Sequence, residues 1–519
     1  MTLAAAAPAQ LNAPSIAYHA LWPIFIVLGV AGVGVLIEAF VPRTERYATQ
    51  LGLSMAGLVA AFIAVILLRG TSLTTVAGAL AIDGTGLFLQ GSILVMAILA
   101  VLLIAERSLE RSPIVAQAAV VVGSSRDREL ARTGRIQTEV FPLAMFAVGG
   151  MLIFPVSNNL LLMFVALEVL SLPLYLMAGM ARHRRLLSQE AAMKYFLLGA
   201  FASAFFLYGI ALLYGYANSV DLSAILAAAS TSNKPDALLY LGLALLVVGL
   251  FFKASVAPFH TWTPDVYEGS PTAVTAFMAS CTKVAAFGAI IRVLYVGFAS
   301  TKWDWRPIIW AVAITSMVVG AVFALTQTNI KRILAYSSIA HAGFILVGIV
   351  AVTRDAIAST LFYLVTYGLA TIAAFGLVTL VRDANGEAVQ LSQWAGLGRK
   401  GPVVAPLMTI LLLSMAGIPL TAGFIGKFYV FRAAYDDAAP LVVIALLCSA
   451  VAAFFYLRII VLMFFAEPPE NGPTITIPSP LTTIALTLAA AVTIWLGLFP
   501  QPILDLANNA AHLQTVLPG

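Results

Sequence analysis

Long apolar stretches recur along the whole chain and are separated by short segments that carry most of its charge. A bilayer core of about 30 Å requires roughly 20 apolar residues for each helical crossing. Runs such as 241–252 are apolar on every face, whereas a transmembrane β-strand alternates apolar and polar residues over about ten positions. The pattern therefore predicts an all-α polytopic membrane protein. Its predicted crossings, about fourteen in number, are 17–41, 47–69, 85–105, 139–156, 158–181, 190–216, 236–260, 270–297, 306–327, 332–352, 355–381, 402–435, 440–465 and 480–500.

The composition supports the same class. The chain has 519 residues, of which 61% are hydrophobic and 10% charged, whereas about a quarter of residues carry charge in soluble domains. Residues 1–15 contain no basic residue ahead of the first apolar run, so we expect this stretch to remain attached rather than to be a cleaved signal peptide. Cys281 and Cys448 lie in apolar runs without a CxxC pattern, which indicates packing residues.

The distribution of Lys and Arg among the loops predicts the orientation of the chain. Sixteen of these residues fall in the odd-numbered loops and five in the even-numbered loops. Cytoplasmic loops are enriched in basic residues, so the odd loops are predicted to be cytoplasmic and both chain ends to lie on the other side of a bacterial cell membrane. The basic stretch 126–135 lacks interleaved aromatic residues and lies between two crossings, which indicates a topogenic loop and not a nucleic-acid site.

The other seven basic residues lie within or at the edges of predicted crossings, and such residues usually mark a transport route. They are Lys194, Lys253, Lys283, Arg292, Lys427, Arg432 and Arg458. The three arginines lie near helix ends, where snorkelling to the interface is expected. Glu168 and Lys283 stand about 15 and 18 Å into their helices, near the midplane, and Lys253 lies past it toward the cytoplasmic side.

Two interpretations of Lys194 are open. Glu190 stands four residues earlier on the same helical face, so the two residues are placed to form an ordinary surface ion pair. Lys194 is alternatively part of a proton route together with the deeper lysines. Glu38, close to the end of the first crossing, is expected to be interfacial.

Proline and glycine residues predict broken helices next to some of the buried charges. Pro173 follows Glu168 and Pro258 follows Lys253 at the same spacing, and each proline removes a backbone donor. The twelfth crossing contains Gly417, Pro419, Gly423 and Gly426 ahead of its lysine and is predicted to be interrupted. Interrupted helices in matching positions of two halves indicate a transport site between inverted repeats. The seventh and twelfth crossings match if crossings 4–8 and 9–13 are two five-helix repeats.

The ionisable side chains favour proton transfer over other chemistry. The five histidines are scattered, and the sequence has no HExxH, GxxxxGK[ST] or GxSxG motif. Burial in a low-dielectric environment disfavours the ammonium form of a lysine, and a nearby carboxylate favours it. Glu168 and Lys253 are therefore predicted to form a switch that holds a proton when they are paired and releases it when they separate; a static buried ion pair is the alternative.

Several other polar residues are secondary candidates. His260 and His341 titrate near neutral pH in an ordinary environment, so each is either a proton relay or a hydrogen-bonded structural residue. Asp265 and Glu268 lie in the predicted seventh loop and are expected either to collect protons or to cap the eighth helix.

Four long motifs resemble those of the antiporter-like membrane subunits of respiratory complex I. They are LEVLSLPLYLM at 167–177, FFKASVAPFHTWTPDVYEGSPTAVTAF at 251–277, TNIKRILAYSSIAHAG at 328–343 and AGIPLTAGFIGKFYVF at 416–431. The resemblance covers roughly residues 140–465. The TPDVYEGSP form and the lysine at 427, where the M-type branch has glutamate, are most similar to the N-type branch.

The resemblance implies a proton-translocating module of an NADH:quinone oxidoreductase, with its repeats at crossings 4–8 and 9–13. The expected divisions are 1–138, 139–300, 301–466 and 467–519. The family's pathway residues match Glu168, Lys253, Lys283 and Lys427, and a lysine of N-type chains matches Lys194. The family further implies that FMN, iron–sulfur clusters and quinone belong to partner subunits, that this chain carries no cofactor, metal or redox centre, and that its partners are other complex I subunits, neighbouring antiporter-like subunits and the bilayer.

Two other functions are compatible with a polytopic chain. A subunit of a multisubunit cation/proton antiporter is expected to line its path with carboxylate or carbonyl oxygens, whereas the buried charges here are mostly lysines. A purely structural membrane scaffold has no need of buried charges. The sequence therefore favours proton translocation.

Overall fold

The computed structural model describes residues 16–107, 137–181, 185–231, 236–383, 386–470 and 472–514. The basic stretch 126–135 lies outside the described residues, so its predicted role as a topogenic loop stays a prediction. Twelve helices among the described residues are long and apolar enough to cross a membrane, and shorter apolar helices accompany them. The all-α polytopic class is therefore confirmed.

The helices follow the predicted crossings closely. In chain order they are α1 Trp22–Phe40, α2 Arg43–Leu67, α3 Gly84–Ile104, α4 Val140–Ile153, α5 Leu160–Ala178, α6 Arg185–Ala217, α7 Leu222–Thr231, α8 Ala237–Ala254, α9 Trp262–Gly269, α10 Thr272–Gly297, α11 Lys302–Thr326, α12 Ile330–Val350, α13 Arg354–Leu380, α14 Leu397–Lys400, α15 Val404–Ala416, α16 Ala422–Phe465, α17 Pro480–Leu498 and α18 Gln501–Ala510. The backbone of α16 leaves the helical conformation at Ala438, which divides this helix into two crossings.

Five short strands lie outside the crossings. The strands β1 Leu73–Thr75 and β2 Leu80–Ile82 pair antiparallel between α2 and α3. The strand β3 Val381–Asp383 pairs antiparallel with both β4 Gly386–Glu387 and β5 Thr474–Ile475. These strands, together with α7, α9, α14 and α18, were not predicted because their segments are short and lie outside the long apolar runs.

Contacts between loops show that successive crossings alternate in direction. The odd-loop face is the end of the bundle with the connections after odd-numbered crossings, such as 41–42 and 327–329. The even-loop face is the opposite end and includes 68–83. On the odd-loop face the Tyr47 hydroxyl donates to the Ala105 carbonyl at 2.5 Å. On the even-loop face the backbone N–H of Asn158 donates to the carbonyl of Ala79 at 2.8 Å.

The helices α5 and α12 begin in the same way from opposite faces, as expected for inverted repeats. Asn159 caps α5 and Asn329 caps α12, and each side-chain oxygen accepts from two backbone N–H groups of the first turn. Both Glu168 and Ser338 stand nine residues after their asparagine, which places each about 14 Å from its own face and therefore near the midplane. Glu168 and Ser338 therefore lie at equivalent depths when each is measured from the face at which its own helix begins.

The breaks predicted in the seventh and the twelfth crossings are both present. The helix α8 ends beside Ser255, which has a left-handed backbone with φ of 61°, and α9 begins only at Trp262. The helix α15 ends at Gly417 with φ of 85°, and α16 begins at Ala422. By contrast, Pro173 lies inside α5 without interrupting it.

A buried lysine line as the candidate functional site

Lys253 occupies the last turn of α8, immediately before the first helix break, and is 2% exposed. Its Nζ donates to the Ser171 hydroxyl at 2.7 Å and to the Tyr195 hydroxyl at 3.2 Å. The rings of Tyr175 and Tyr195 lie 5.7 and 5.2 Å from the same atom. The amine is therefore held by neutral hydroxyls and aromatic faces of α5 and α6.

Glu168 lies one turn before Ser171 on α5 but is not in direct contact with the lysine. No ion pair within 4.0 Å joins Glu168 to Lys253 in the described structure, and the buried Oε1 of Glu168 has no hydrogen-bond partner among the described residues. The Ser171 hydroxyl, which also donates to the Leu167 carbonyl, occupies the position of the expected carboxylate partner. The geometry is thus that of a separated pair with a hydroxyl beside the lysine.

Lys283 lies at the centre of the bundle on α10 and is 2% exposed. A π-helical segment, Met278–Thr282, immediately precedes it, and such single-turn distortions often accompany functional sites. Its Nζ donates to both the carbonyl and the hydroxyl of Ser338 on α12, at 2.6 and 2.5 Å. Lys283 therefore connects the first repeat to the midplane position of α12.

His341 follows Ser338 on α12 and lies between two tyrosine hydroxyls. Its Nδ1 is 2.7 Å from the hydroxyl of Tyr363, and its Nε2 is 3.1 Å from the hydroxyl of Tyr456. The Tyr456 hydroxyl is also hydrogen-bonded to Ser337. Because α12 carries Ser337, Ser338 and His341, this helix presents a continuous polar strip inside the second repeat.

Lys427 lies just after the second helix break and is 5% exposed. Its Nζ donates to the carbonyls of Met415 and Ala416, both at 3.0 Å, and to the Ser449 hydroxyl at 2.8 Å. The C-terminal carbonyls of a helix carry partial negative charge, so the open end of α15 is a favourable partner for an ammonium group. Gly417 produces this open end, because a left-handed residue ends the helix there.

A cavity of about 850 Å³ leads from Lys427 toward the even-loop face. Lys427 and Ser449 line it deep in the bundle, while Asp355, Asp436 and Asn508 line it where α13, α16 and α18 reach that face. We name this cavity the even-face vestibule. We name Lys253, Lys283 and Lys427 together the buried lysine line, and of these three residues Lys427 is the one that lines the vestibule.

The odd-loop face carries a cluster of paired charges above Lys253. Lys194 is paired with Glu190 at 2.6 Å and with Asp265 at 2.7 Å, and its side chain is 41% exposed. Arg332 is paired with Asp265 at 2.8 Å and with Glu268 at 3.0 Å. Lys194 thus belongs to a half-exposed network and not to the buried line, although the next residue, Tyr195, contacts Lys253.

The remaining candidates are separate from this line. His260 lies in the break between α8 and α9, half-buried, and its Nδ1 has no hydrogen-bond partner among the described residues. Arg292, expected to be an interfacial residue, is instead fully buried and paired with Asp83 at 2.8 Å. It also donates to the Pro155 carbonyl at 2.6 Å, so it fastens α10 to α3 and to the end of α4.

The buried lysines are recognisable in the sequence, but the groups that hold them are not. The missed partners are Ser171, Tyr195, Ser338, Tyr363, Ser449 and Tyr456. The sequence feature that could have identified these partners is a serine or tyrosine in an apolar helix at the same depth as a buried lysine or histidine. Serine and tyrosine are common in such helices, so the signal acquires meaning only once the packing is known.

The chain matches a known membrane-protein family over most of its length. The family described as "NADH:quinone oxidoreductase/Mrp antiporter, TM" matches residues 157–467. The chain is 58% identical over 507 residues to the NADH-quinone oxidoreductase subunit N of Saccharopolyspora erythraea, covering 96% of this chain and 98% of that one. It is 59% identical over 512 residues to the subunit N of a Parafrankia species, covering 98% of each.

Solved structures give the same fold. A chain of respiratory complex I from Thermus thermophilus superposes with a TM-score of 0.75 at 34% identity, covering 94% of this chain and 99% of that one. A chain of the Mrp complex from a Dietzia species gives a TM-score of 0.79 at 22% identity, covering 96% and 97%, which shows likeness of fold alone.

Proposed function

The chain belongs to the NADH:quinone oxidoreductase/Mrp antiporter membrane family, within its subunit N members, and we propose that it carries protons across the membrane through the buried lysine line. The single observation that supports this most strongly is the set of three lysines, Lys253, Lys283 and Lys427, each at most 5% exposed, whose amines donate hydrogen bonds only to neutral oxygens among the described residues. A neutral oxygen stabilises an ammonium group less than a carboxylate does, so a proton held there is also readily released.

Protons are proposed to enter from the odd-loop face, predicted to be cytoplasmic. Lys194 and Asp265 form the half-exposed network on that face, and Tyr195 follows Lys194 on α6 and contacts Lys253 at 3.2 Å. Trp262 stacks on Tyr195 at 4.5 Å and closes this side of the lysine against bulk water. The network is proposed to collect protons and pass them to Lys253 through groups on α6.

Glu168 and Ser171 are proposed to determine the protonation state of Lys253. In the conformation described here the lysine donates to Ser171 and not to Glu168. Movement of the amine by about one helical turn along α5 is proposed to bring it to the carboxylate, which favours its charged form. The separated geometry then corresponds to the proton-releasing state of the switch.

Lys283 and the polar strip of α12 are proposed to carry the proton laterally. Lys283 bonds to Ser338, and His341 with its two tyrosines continues along α12 toward the second break. Imidazole both accepts and donates a proton, which suits His341 to a relay position. From Lys427 the proton is proposed to leave through the even-face vestibule. His260 is a secondary relay candidate beside the first break.

The redox chemistry is proposed to take place in partner subunits. NADH oxidation and quinone reduction then drive the switch from a distance, with FMN, iron–sulfur clusters and quinone bound outside this chain. Within the described ranges no group of three or more His, Cys, Asp or Glu side chains is arranged to hold a metal ion. Other complex I subunits, including neighbouring antiporter-like subunits, are the proposed partners, in a bacterial cell membrane.

Purification of the chain from its native membrane tests the assignment to a redox complex. Co-purifying proteins with flavin and iron–sulfur absorbance are expected. Co-purification of antiporter subunits without either chromophore would contradict the assignment to a redox complex.

In the purified complex, Lys253→Ala and Glu168→Ala are expected to abolish or strongly reduce proton pumping while the complex still assembles. Lys302→Ala on the even-loop face is the control and is expected to pump normally. Normal pumping in both test variants would contradict the switch.

A further inference from the structure

An apolar groove opens on the side of the bundle away from the lysine line. It has a volume of about 830 Å³ and lies between α2, α3, α13, α17 and α18. Phe62, Leu87 and Trp495 are among its lining residues, and none of the described residues that line it is Asp or Glu. A groove of this kind between membrane helices is complementary to hydrocarbon and not to water.

The depth of the groove matches one leaflet of a bilayer. On α3 its lining extends from Gly84, at the even-loop face, to Met96. Twelve residues of helix correspond to about 18 Å, whereas half of a hydrocarbon core is about 15 Å. The groove therefore begins at the even-loop face and ends near the midplane.

The open end of the groove is cationic. Arg69 and His512 line it together with Asn509, and both Arg69 and His512 are exposed. The Arg69 side chain has no hydrogen bond or ion pair with any residue that the structure describes. A guanidinium group at headgroup depth is complementary to a phosphate, which it binds with two parallel hydrogen bonds.

The closed end of the groove lies one side-chain layer from the lysine line. Met96 lines the groove, and a Cβ built on Gly368 of α13 would meet both Met96 and Ser280. Ser280 stands three residues before Lys283 on α10. Hydrocarbon that fills this end therefore keeps water away from the wall behind Lys283.

We propose that this groove binds an anionic phospholipid of the even-loop leaflet, with an acyl chain between α3 and α17 and its phosphate at Arg69. The charge complementarity and the one-leaflet depth identify the occupant as a lipid. One arginine near an anionic headgroup corresponds to about a fivefold preference over a zwitterionic lipid.

Photolabelling of the purified complex in nanodiscs tests this site. The probe is phosphatidylglycerol with a diazirine at the end of one acyl chain, compared with phosphatidylcholine labelled in the same way. Mass spectrometry of the labelled peptides is expected to find the carbene adduct around Met96 and Leu369, with about fivefold more labelling by phosphatidylglycerol. Absence of labelling there, or equal labelling by the two lipids, would overturn the proposal.

Two variants and a matched control sharpen the result. A Cβ built on Gly91 would lie 3.6 Å from Val65 Cγ1, an ordinary contact, so Gly91→Leu is expected to fill the groove and reduce labelling at least fivefold. Gly52→Leu places the same side chain on α2 where no atom lies within 4 Å of its Cβ, and labelling is expected to be unchanged. Arg69→Gln is expected to remove the preference for phosphatidylglycerol. Undiminished labelling in Gly91→Leu, or an undiminished preference in Arg69→Gln, would overturn the assignment.

Discussion

The three buried lysines share one chemical environment although they lie on three different helices. Lys253 bonds to hydroxyls, Lys283 to a serine hydroxyl and carbonyl, and Lys427 to two helix-end carbonyls and a hydroxyl. An uncompensated ammonium group is costly at membrane depth, and these oxygens reduce the cost without adding a fixed negative charge. The residues are therefore suited to hold a proton briefly.

Ser171 is the residue whose hydrogen bond to Lys253 can be removed with the smallest change to the packing around it. Ser171→Ala removes the 2.7 Å hydrogen bond to Lys253 but leaves the volume of the site almost unchanged. A hydrogen bond to a charged group contributes roughly 1.5–3 kcal/mol, so we expect proton pumping, measured in vesicles, to fall about tenfold.

The control for this variant is Ser157→Ala. Ser157 is also buried, but its hydroxyl donates at 2.9 Å to the Ile153 carbonyl one turn earlier in the chain and is not bonded to a lysine. Pumping is expected to be normal in this control. Equal pumping by Ser171→Ala and Ser157→Ala would show that the serine beside Lys253 has no part in proton transfer.

Charged candidates were predictable from sequence, but their partners were not. Lys253, Lys283 and Lys427 were recognisable because a lysine within an apolar run is rare and costly. Of the two arrangements expected for Glu168 and Lys253, paired and separated, the structure has the separated one, in which Ser171, one turn along α5, faces the lysine. A difference of one helical turn depends on how α5 and α8 pack, which the spacing of residues within either helix does not determine.

At the scale of elements, the two breaks serve the lysines in different ways. Lys253 precedes its break and points to neighbouring helices, whereas Lys427 follows its break and turns back to the open end of α15. Prolines and glycines made both breaks predictable. The π-helical segment before Lys283 was not predictable, since no proline or glycine lies within Met278–Thr282.

Gly417 is the residue on which the second break depends. Its φ of 85° disfavours any residue with a side chain, by about 1–2 kcal/mol, and a Cβ there would lie 3.0 Å from Cδ of Lys427. Gly417→Ala is therefore expected to displace Lys427 and to lower the number of protons pumped per NADH and the thermal stability of the complex.

Gly29→Ala is the matched control, because Gly29 lies within α1 and no atom lies within 4 Å of a Cβ built on it. We expect this variant to pump normally and to be at least as stable as the parent. If Gly417→Ala behaves in the same way as this control, the break does not position Lys427.

At the scale of the whole molecule, the two ends of the lysine line lie next to features of opposite faces of the bundle. Its first member lies below the charged cluster of the odd-loop face, and its last member lines the even-face vestibule. The direction of transport therefore depends on which face is cytoplasmic. The excess of basic residues in the odd loops predicts that the odd-loop face is the cytoplasmic one.

Cysteine labelling in intact cells tests this orientation. Asp304 is exposed on the even-loop face and Lys400 on the odd-loop face, and both natural cysteines, Cys281 and Cys448, are buried. A membrane-impermeant maleimide is expected to label Asp304→Cys but not Lys400→Cys, and the parent chain should be unlabelled. The reverse pattern would invert the proposed direction.

The most direct test of the central claim is the number of protons pumped per NADH oxidised when Lys283 is replaced by methionine. Lys283→Met keeps the length and burial of the side chain at the junction of the two repeats but cannot carry a proton. In the purified complex reconstituted into vesicles, we expect this ratio to fall while Lys302→Met, on the even-loop face, leaves it unchanged. An unchanged ratio in an assembled Lys283→Met complex would contradict proton transfer along the buried lysine line.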